Sequence, residues 1–167
     1  MNKLLYDSMT SMNVIKGLLA NIELLFDEEN YRLTENDFAL GLHKIVFSAI
    51  HNMVQSGFTK VTPQDVEIYL SQYQKAYEVF KVQKGLDFLV EVQDMALSME
   101  AGRFKYYYER LKKFTLLRDL FMAGVDVKQF FNYEADWLHL DEEHQKLNET
   151  TIEDILNVIR GKINSIE

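Results

Sequence analysis

Apolar residues recur every three or four positions through most of the chain, and that spacing predicts helices. Met12, Ile15, Leu19, Ile22 and Phe26 share one face, with Ser8 or Ser11 as N-cap, and Asp27-Glu28-Glu29-Asn30 ends the run. Thr34-Glu35-Asn36-Asp37 has capping-box spacing, with Asp in the usual Glu place. Leu42, Val46, Ile50 and Met53 form a stripe that stops at Gly57, a residue suited to the left-handed position after a helix. In Thr62-Pro63-Gln64-Asp65 the Thr is an N-cap, the Pro suits the first helical position and the Asp complements the positive helix end. A short helix from Thr62 to about Ser71 follows, with Val66, Tyr69 and Leu70 inward. Lys84-Gly85 marks the next boundary, and Phe88, Val92, Met95 and Met99 make another face.

Beyond Gly102 the pattern lengthens. Phe104, Tyr107, Leu111, Phe114, Phe121 and Val125 continue one stripe, broken by Arg118 and reaching about Tyr133. A helix of that length spans roughly 45 Å, more than a core of this size needs. An acidic connector, Glu134 to Glu149, separates it from a last helix. That helix opens on the capping box Thr150-Thr151-Ile152-Glu153 and carries Ile152, Ile155, Ile159, Ile163 and Ile166 on one face. Residues 100–118 hold six bases and two acids, and residues 133–154 hold eight acids and one Lys, so the two stretches suit an antiparallel pair. The expected architecture is all-α: a compact helical head, residues 1–101, followed by a long antiparallel helical hairpin, residues 102–167.

Composition narrows the class. The 167 residues include seven Gly and one Pro, too few for a loop-rich scaffold, and 47% are hydrophobic, enough to fill a core. There is no Cys, so disulfides, thiolate metal sites and Cys nucleophiles are excluded. No apolar run approaches the ~18 residues of a membrane helix, and the N-terminus has no secretory apolar stretch; a soluble, cytoplasmic chain with no membrane partner is expected. The net charge of −8 opposes a dedicated duplex-DNA binder.

Catalytic signatures are missing from these residues. Gly161-Lys162-Ile163 lacks both the first Gly and the hydroxyl of a P-loop, and there is no Gly-x-Ser-x-Gly or Gly-x-Gly-x-x-Gly turn. His139-Leu140-Asp141-Glu142-Glu143-His144 offers metal-type ligands, but i and i+5 diverge by about 140° on a helix, and a solvated acidic connector accounts for the run. His43 and His51 lie eight apart on one helix, with packing or solvent hydrogen bonding as their expected role. Arg103-Phe104-Lys105-Tyr106-Tyr107-Tyr108-Glu109-Arg110 interleaves bases with aromatics, as grips on single-stranded nucleic acid do; its helical spacing favours an amphipathic helix facing a neighbour.

Several segments, in order, resemble the N-terminal domain of the DnaB-like replicative DNA helicases of bacteria and their phages. Ile15-Lys16-Gly17-Leu18-Leu19 is similar to the family's first-helix segment. Leu33-Thr34-Glu35-Asn36-Asp37-Phe38 followed by His43-Lys44-Ile45-Val46-Phe47 resembles its Asp-Phe…His-basic-x-apolar-aromatic run, the most specific match. Lys84-Gly85-Leu86-Asp87-Phe88-Leu89 resembles its Gly-Gly-x-x-Tyr-Leu turn, and Tyr107 through Leu116-Leu117-Arg118 its Tyr-Ala…Leu-Arg helix entry. The resemblance covers about residues 10–120. Lys16 for an apolar residue, Lys113-Phe114 for an acidic-basic pair and the lack of Pro before His43 mark a divergent relative, consistent with a phage origin.

The resemblance implies a non-catalytic collar module. It would pair with itself as a dimer, in a trimer of dimers, and receive primase or a helicase loader, meeting DNA only through the assembled helicase. ATP and Mg would belong to a separate RecA-like motor, and this chain would need no cofactor. The expected interface residues are Phe104, Tyr107, Leu111, Phe114, Leu117, Phe121, Val125, Ile155, Ile159 and Ile163. The alternative is a stand-alone single-stranded nucleic-acid-binding or helicase-regulating helical protein.

Overall fold

The computed structural model describes residues 5–95 and 101–166. The chain is all-α, with eight α-helices and two short 3-10 turns among the described residues. Contacts divide it into two units, Asp7–Leu111 and Met1–Tyr6 with Lys112–Glu167. The division falls inside one helix, ten residues beyond the boundary the sequence pattern suggested.

In the larger unit, α1 spans Ser8–Ala20. Its N-cap is Asp7, not either serine: the carboxylate accepts from the Met9 N–H at 3.1 Å and from the Thr10 hydroxyl at 2.7 Å. The buried face is Val14, Ile15, Leu18 and, past the helix end, Ile22, whereas Met12 and Leu19 are half-buried and Phe26 is exposed. Ile15 and Ile22 of the expected stripe are thus buried, the face centres on Val14 and Leu18, and Phe26 leaves it because the helix ends at Ala20 and Ile22–Phe26 tightens to a 3-10 turn. The Thr34–Asp37 box forms, with the Thr34 N–H donating to Asp37 at 2.9 Å, but it caps a 3-10 turn. Helix α2 (Gly41–Gln55) starts after it and buries Leu42, Val46, Ile50 and Met53. Gly57 stops it at φ 104°: its N–H donates to Val54 O and that of Phe58 to Met53 O, a Schellman closure.

Helix α3 (Pro63–Leu70) has the predicted Thr62/Asp65 box and buries Val66 and Leu70. Helices α4 (Gln74–Val82) and α5 (Gly85–Met95) bury Phe80, Leu89 and Val92. Met99 and the side chain of Met95, both assigned to the α5 face, lie outside the described residues. Between α4 and α5 the left-handed residue is Lys84, at φ 54°. Gly85 serves another purpose: a Cβ there would stand 2.2 Å from the buried Phe80 ring. Close approach of the α5 backbone to that ring is what demands glycine.

Helix α6 covers Ala101–Met122. The stripe expected to run to about Tyr133 stops here, because Gly124 takes φ 86° and the N–H groups of Gly124 and Val125 close on Phe121 O and Leu120 O. The same Schellman geometry ends α2. The loop beyond contributes Val127, Phe130 and Phe131 to a buried cluster with Leu5, Phe114, Leu117, Leu147 and Ile155. The acidic stretch read as a connector contains α7 (Leu140–Glu149), whose first turn holds Asp141, Glu142 and Glu143 at the positive helix end. Helix α8 (Ile152–Asn164) follows after two residues, capped by Thr151 and Asp154. The tail is thus the end of α6, a packed loop and two shorter helices, where two continuous rods were expected.

Candidate interaction surface

Three bases of the 100–118 patch are structural. Arg110 is buried, with Nε 3.3 Å from the Asp7 carboxylate and 3.1 Å from the Thr10 hydroxyl oxygen. Burial pushes the Asp7 pKa up, but the Thr10 hydrogen bond and the Arg110 charge outweigh it, and the net shift is downward. Lys113 donates to the carbonyls of Leu147 and Asn148 at 3.0 and 3.3 Å, placing a cation on the negative end of α7. Arg118 donates to Leu5 O at 3.0 Å and lies 5.5 Å from the Tyr6 ring. Exposed bases in this stretch are Arg103 and Lys105, the latter 3.9 Å from Glu109. Of the interleaved aromatics, Phe104 is buried and packs edge-on to Tyr31, and the Tyr108 hydroxyl accepts from the Arg32 N–H.

The histidines divide similarly. His43 is buried, its Nδ1 2.6 Å from the Ser11 hydroxyl and its ring stacked on Phe88 at 5.1 Å. Burial lowers its pKa from 6.5 to about 4. His139 lies 2.6 Å from Asp136, whose hydrogen bond raises the His139 pKa, while His144 packs on the edge of Phe131. Among the described residues, no three His, Asp or Glu side chains converge as metal ligands.

The ten residues expected to form an interface separate by burial. Phe104, Leu111, Phe114, Leu117 and Ile155 are at most 2% exposed and form the chain's own core, so they present no surface. Tyr107, Phe121, Val125 and Ile159 are half-buried, and Ile163 is 57% exposed. For Phe114, Leu117 and Ile155 the reason is the loop 123–139, whose Val127, Phe130 and Phe131 pack in one cluster with them; Phe104 packs on Tyr31 in the larger unit.

Apolar surface remains exposed at several places among the described residues. On α8 the stripe runs out of its core: Ile155 is fully buried, Ile159 half-buried, Ile163 57% exposed and Ile166, just past the helix, 84% exposed. Arg160 and Lys162 flank that exposed end. Trp137 and Leu138 project from the acidic loop. In the larger unit, Ile22, Val54, Phe26 and Phe58 line an open groove of about 570 Å³, with Glu23 and Asp27 at its edge. A second groove of about 340 Å³ lies beside Tyr69 and Tyr73. The α8 stripe was legible from periodicity; the Ile22–Phe58 groove was not, because its walls come from segments some thirty residues apart. No helix of the described residues is long and apolar enough to cross a membrane.

No family model matches the chain, and no solved structure matches it. The SPbeta prophage-derived uncharacterized protein YorI of Bacillus subtilis (strain 168) is 28% identical over 165 residues, 98% of this chain. The match takes in 32% of that protein, so the chain spans about a third of the relative's length.

Proposed function

We propose that this chain is a non-catalytic assembly and docking module, of the kind that forms the N-terminal collar of DnaB-like replicative helicases, working in the cytoplasm during phage DNA replication. The observation that carries the assembly reading is the α8 stripe, which leaves its own core with Ile163 and Ile166 exposed. The helicase reading is supported by the run from Leu33 to Phe47, whose matching residues have architectural duties. Asp37 holds the Thr34 N–H, Phe38 stacks on Phe47 at 4.7 Å, and His43 holds Ser11. A prophage-derived relative three times as long as the match is in keeping with a phage-encoded parent that carries further domains. ATP and Mg would act in such a motor, and primase or a loader would dock on the collar.

The nucleic-acid alternative is weakened by Arg110, Lys113 and Arg118, whose cations are committed inside the fold. Sedimentation of the chain across a concentration series tests the reading. Self-association that Ile163→Asp weakens on the order of tenfold or more, with helical content unchanged, supports it. A wild-type monomer at every concentration, or steep salt-sensitive binding to single-stranded DNA, refutes it.

A further inference from the structure

Two of the exposed apolar features among the described residues are complementary to each other. The groove walled by Ile22, Val54, Phe26 and Phe58 has Phe26 and Phe58 59% and 44% exposed, and its edge carries Glu23 and Asp27. The exposed end of α8 presents Ile163 and Ile166 between Lys162 and Arg160, whose guanidinium lies 3.0 Å from Glu153 of the same helix and would exchange that partner on docking. One feature is an acidic-rimmed cleft and the other a basic-flanked apolar ridge. On a helix, residues three and four apart stand about 5–6 Å from one another, so Ile159, Ile163 and Ile166 form one continuous ridge for a cleft of about 570 Å³.

We propose that the C-terminal end of α8 of one copy seats in the Ile22–Phe58 groove of a second copy, with Arg160 and Lys162 against Glu23 and Asp27. Each copy carries both halves, so the contact is heterologous: it propagates head to tail and closes into a ring where the rotation permits. Burial of the two isoleucines between the phenylalanines supplies the affinity, and the charges set register and exclude the reversed helix direction. This deepens the assembly reading and rests on it, but it moves the interface away from the α6 residues, of which the core has already taken Phe104, Leu111, Phe114 and Leu117.

The chain contains no Cys, which permits a direct test. Thr59→Cys lines the groove without removing a wall, and Asn164→Cys neighbours the ridge without removing it. Each is made in a separate copy of the 167-residue chain, and the two are mixed under mild oxidation. Because a disulfide requires Cα atoms within about 7 Å, the intermolecular seating enriches the crossed dimer over what random collision gives. The expected result is a crossed dimer on the order of tenfold above either variant alone. Adding Glu23→Lys and Asp27→Lys to the groove chain should abolish it, and adding Arg160→Glu and Lys162→Glu to the ridge chain should restore it. Circular dichroism confirms that each variant keeps its helices. Self-association without a crossed dimer overturns this interface and leaves the assembly reading standing. A crossed dimer indifferent to the charge reversals overturns the register. A chain that is monomeric throughout overturns both.

Discussion

His43 should make stability fall in acid in a way that one substitution removes. Its imidazole is buried, pairs with the Ser11 hydroxyl and stacks on Phe88, so the folded protein holds it neutral, with a pKa near 4 against 6.5 for the free side chain. The unfolded chain accepts a proton below the ordinary pKa and the folded chain refuses it. Stability is therefore full above that value and is lost as pH falls toward the folded one. The gap corresponds to about 3 kcal/mol, most of which is gone at about pH 4.5. Urea denaturation of wild type and His43→Gln at about pH 7.5 and about pH 4.5 measures the difference. Carboxylates such as Asp7 contribute equally to both proteins and cancel. His43→Gln should be less stable at the higher pH, through lost stacking, yet show an acid loss smaller by about 2 kcal/mol. Parallel pH profiles for the two proteins would refute the reasoning, because they would mean that His43 protonates without opening the α1–α2 packing.

Lys113→Met should cost about 2 kcal/mol, because the last carbonyls of α7 lose a charged donor in a buried setting; the urea midpoint reads it, and an unchanged midpoint would show that water replaces the ammonium. Lys84→Gly should raise stability by up to about 1 kcal/mol, since the left-handed backbone at φ 54° strains any residue with a Cβ; thermal denaturation checks the sign. Gly85→Ala should lower stability by about 1–3 kcal/mol, because the new methyl stands inside contact distance of the Phe80 ring; a neutral result would show that the ring moves aside freely.

Local signals were legible where they are self-contained. The Thr62/Asp65 box, the Gly57 stop and the α2 stripe depend on residues within one or two turns, and the chain takes them as read. Gly124 carries the same stop as Gly57, but the apolar run past it, Val125 to Tyr133, looked like more helix. Left-handed glycine outweighs apolar spacing there, because the Schellman hydrogen bonds satisfy carbonyls that a longer helix would otherwise have used. Lys84 shows the reverse: the conformation that favours glycine falls on the residue before the one that is glycine, because the neighbouring position needs glycine for close approach to Phe80.

Periodicity by itself determined that this protein is helical, since residues three and four apart must share a face whatever they pack on. It also determined that α8 carries an isoleucine ridge. Tertiary structure alone decided who covers which face. Phe130, Phe131 and Leu5 come from a loop and from the N-terminus, distant in sequence, and they enclose Phe114, Leu117 and Ile155 that the pattern would equally have left for a sibling chain. Burial is a property of three-dimensional neighbours. The same periodic stripe marks a core or an interface, and on α8 it passes from one to the other, from buried Ile155 to exposed Ile163.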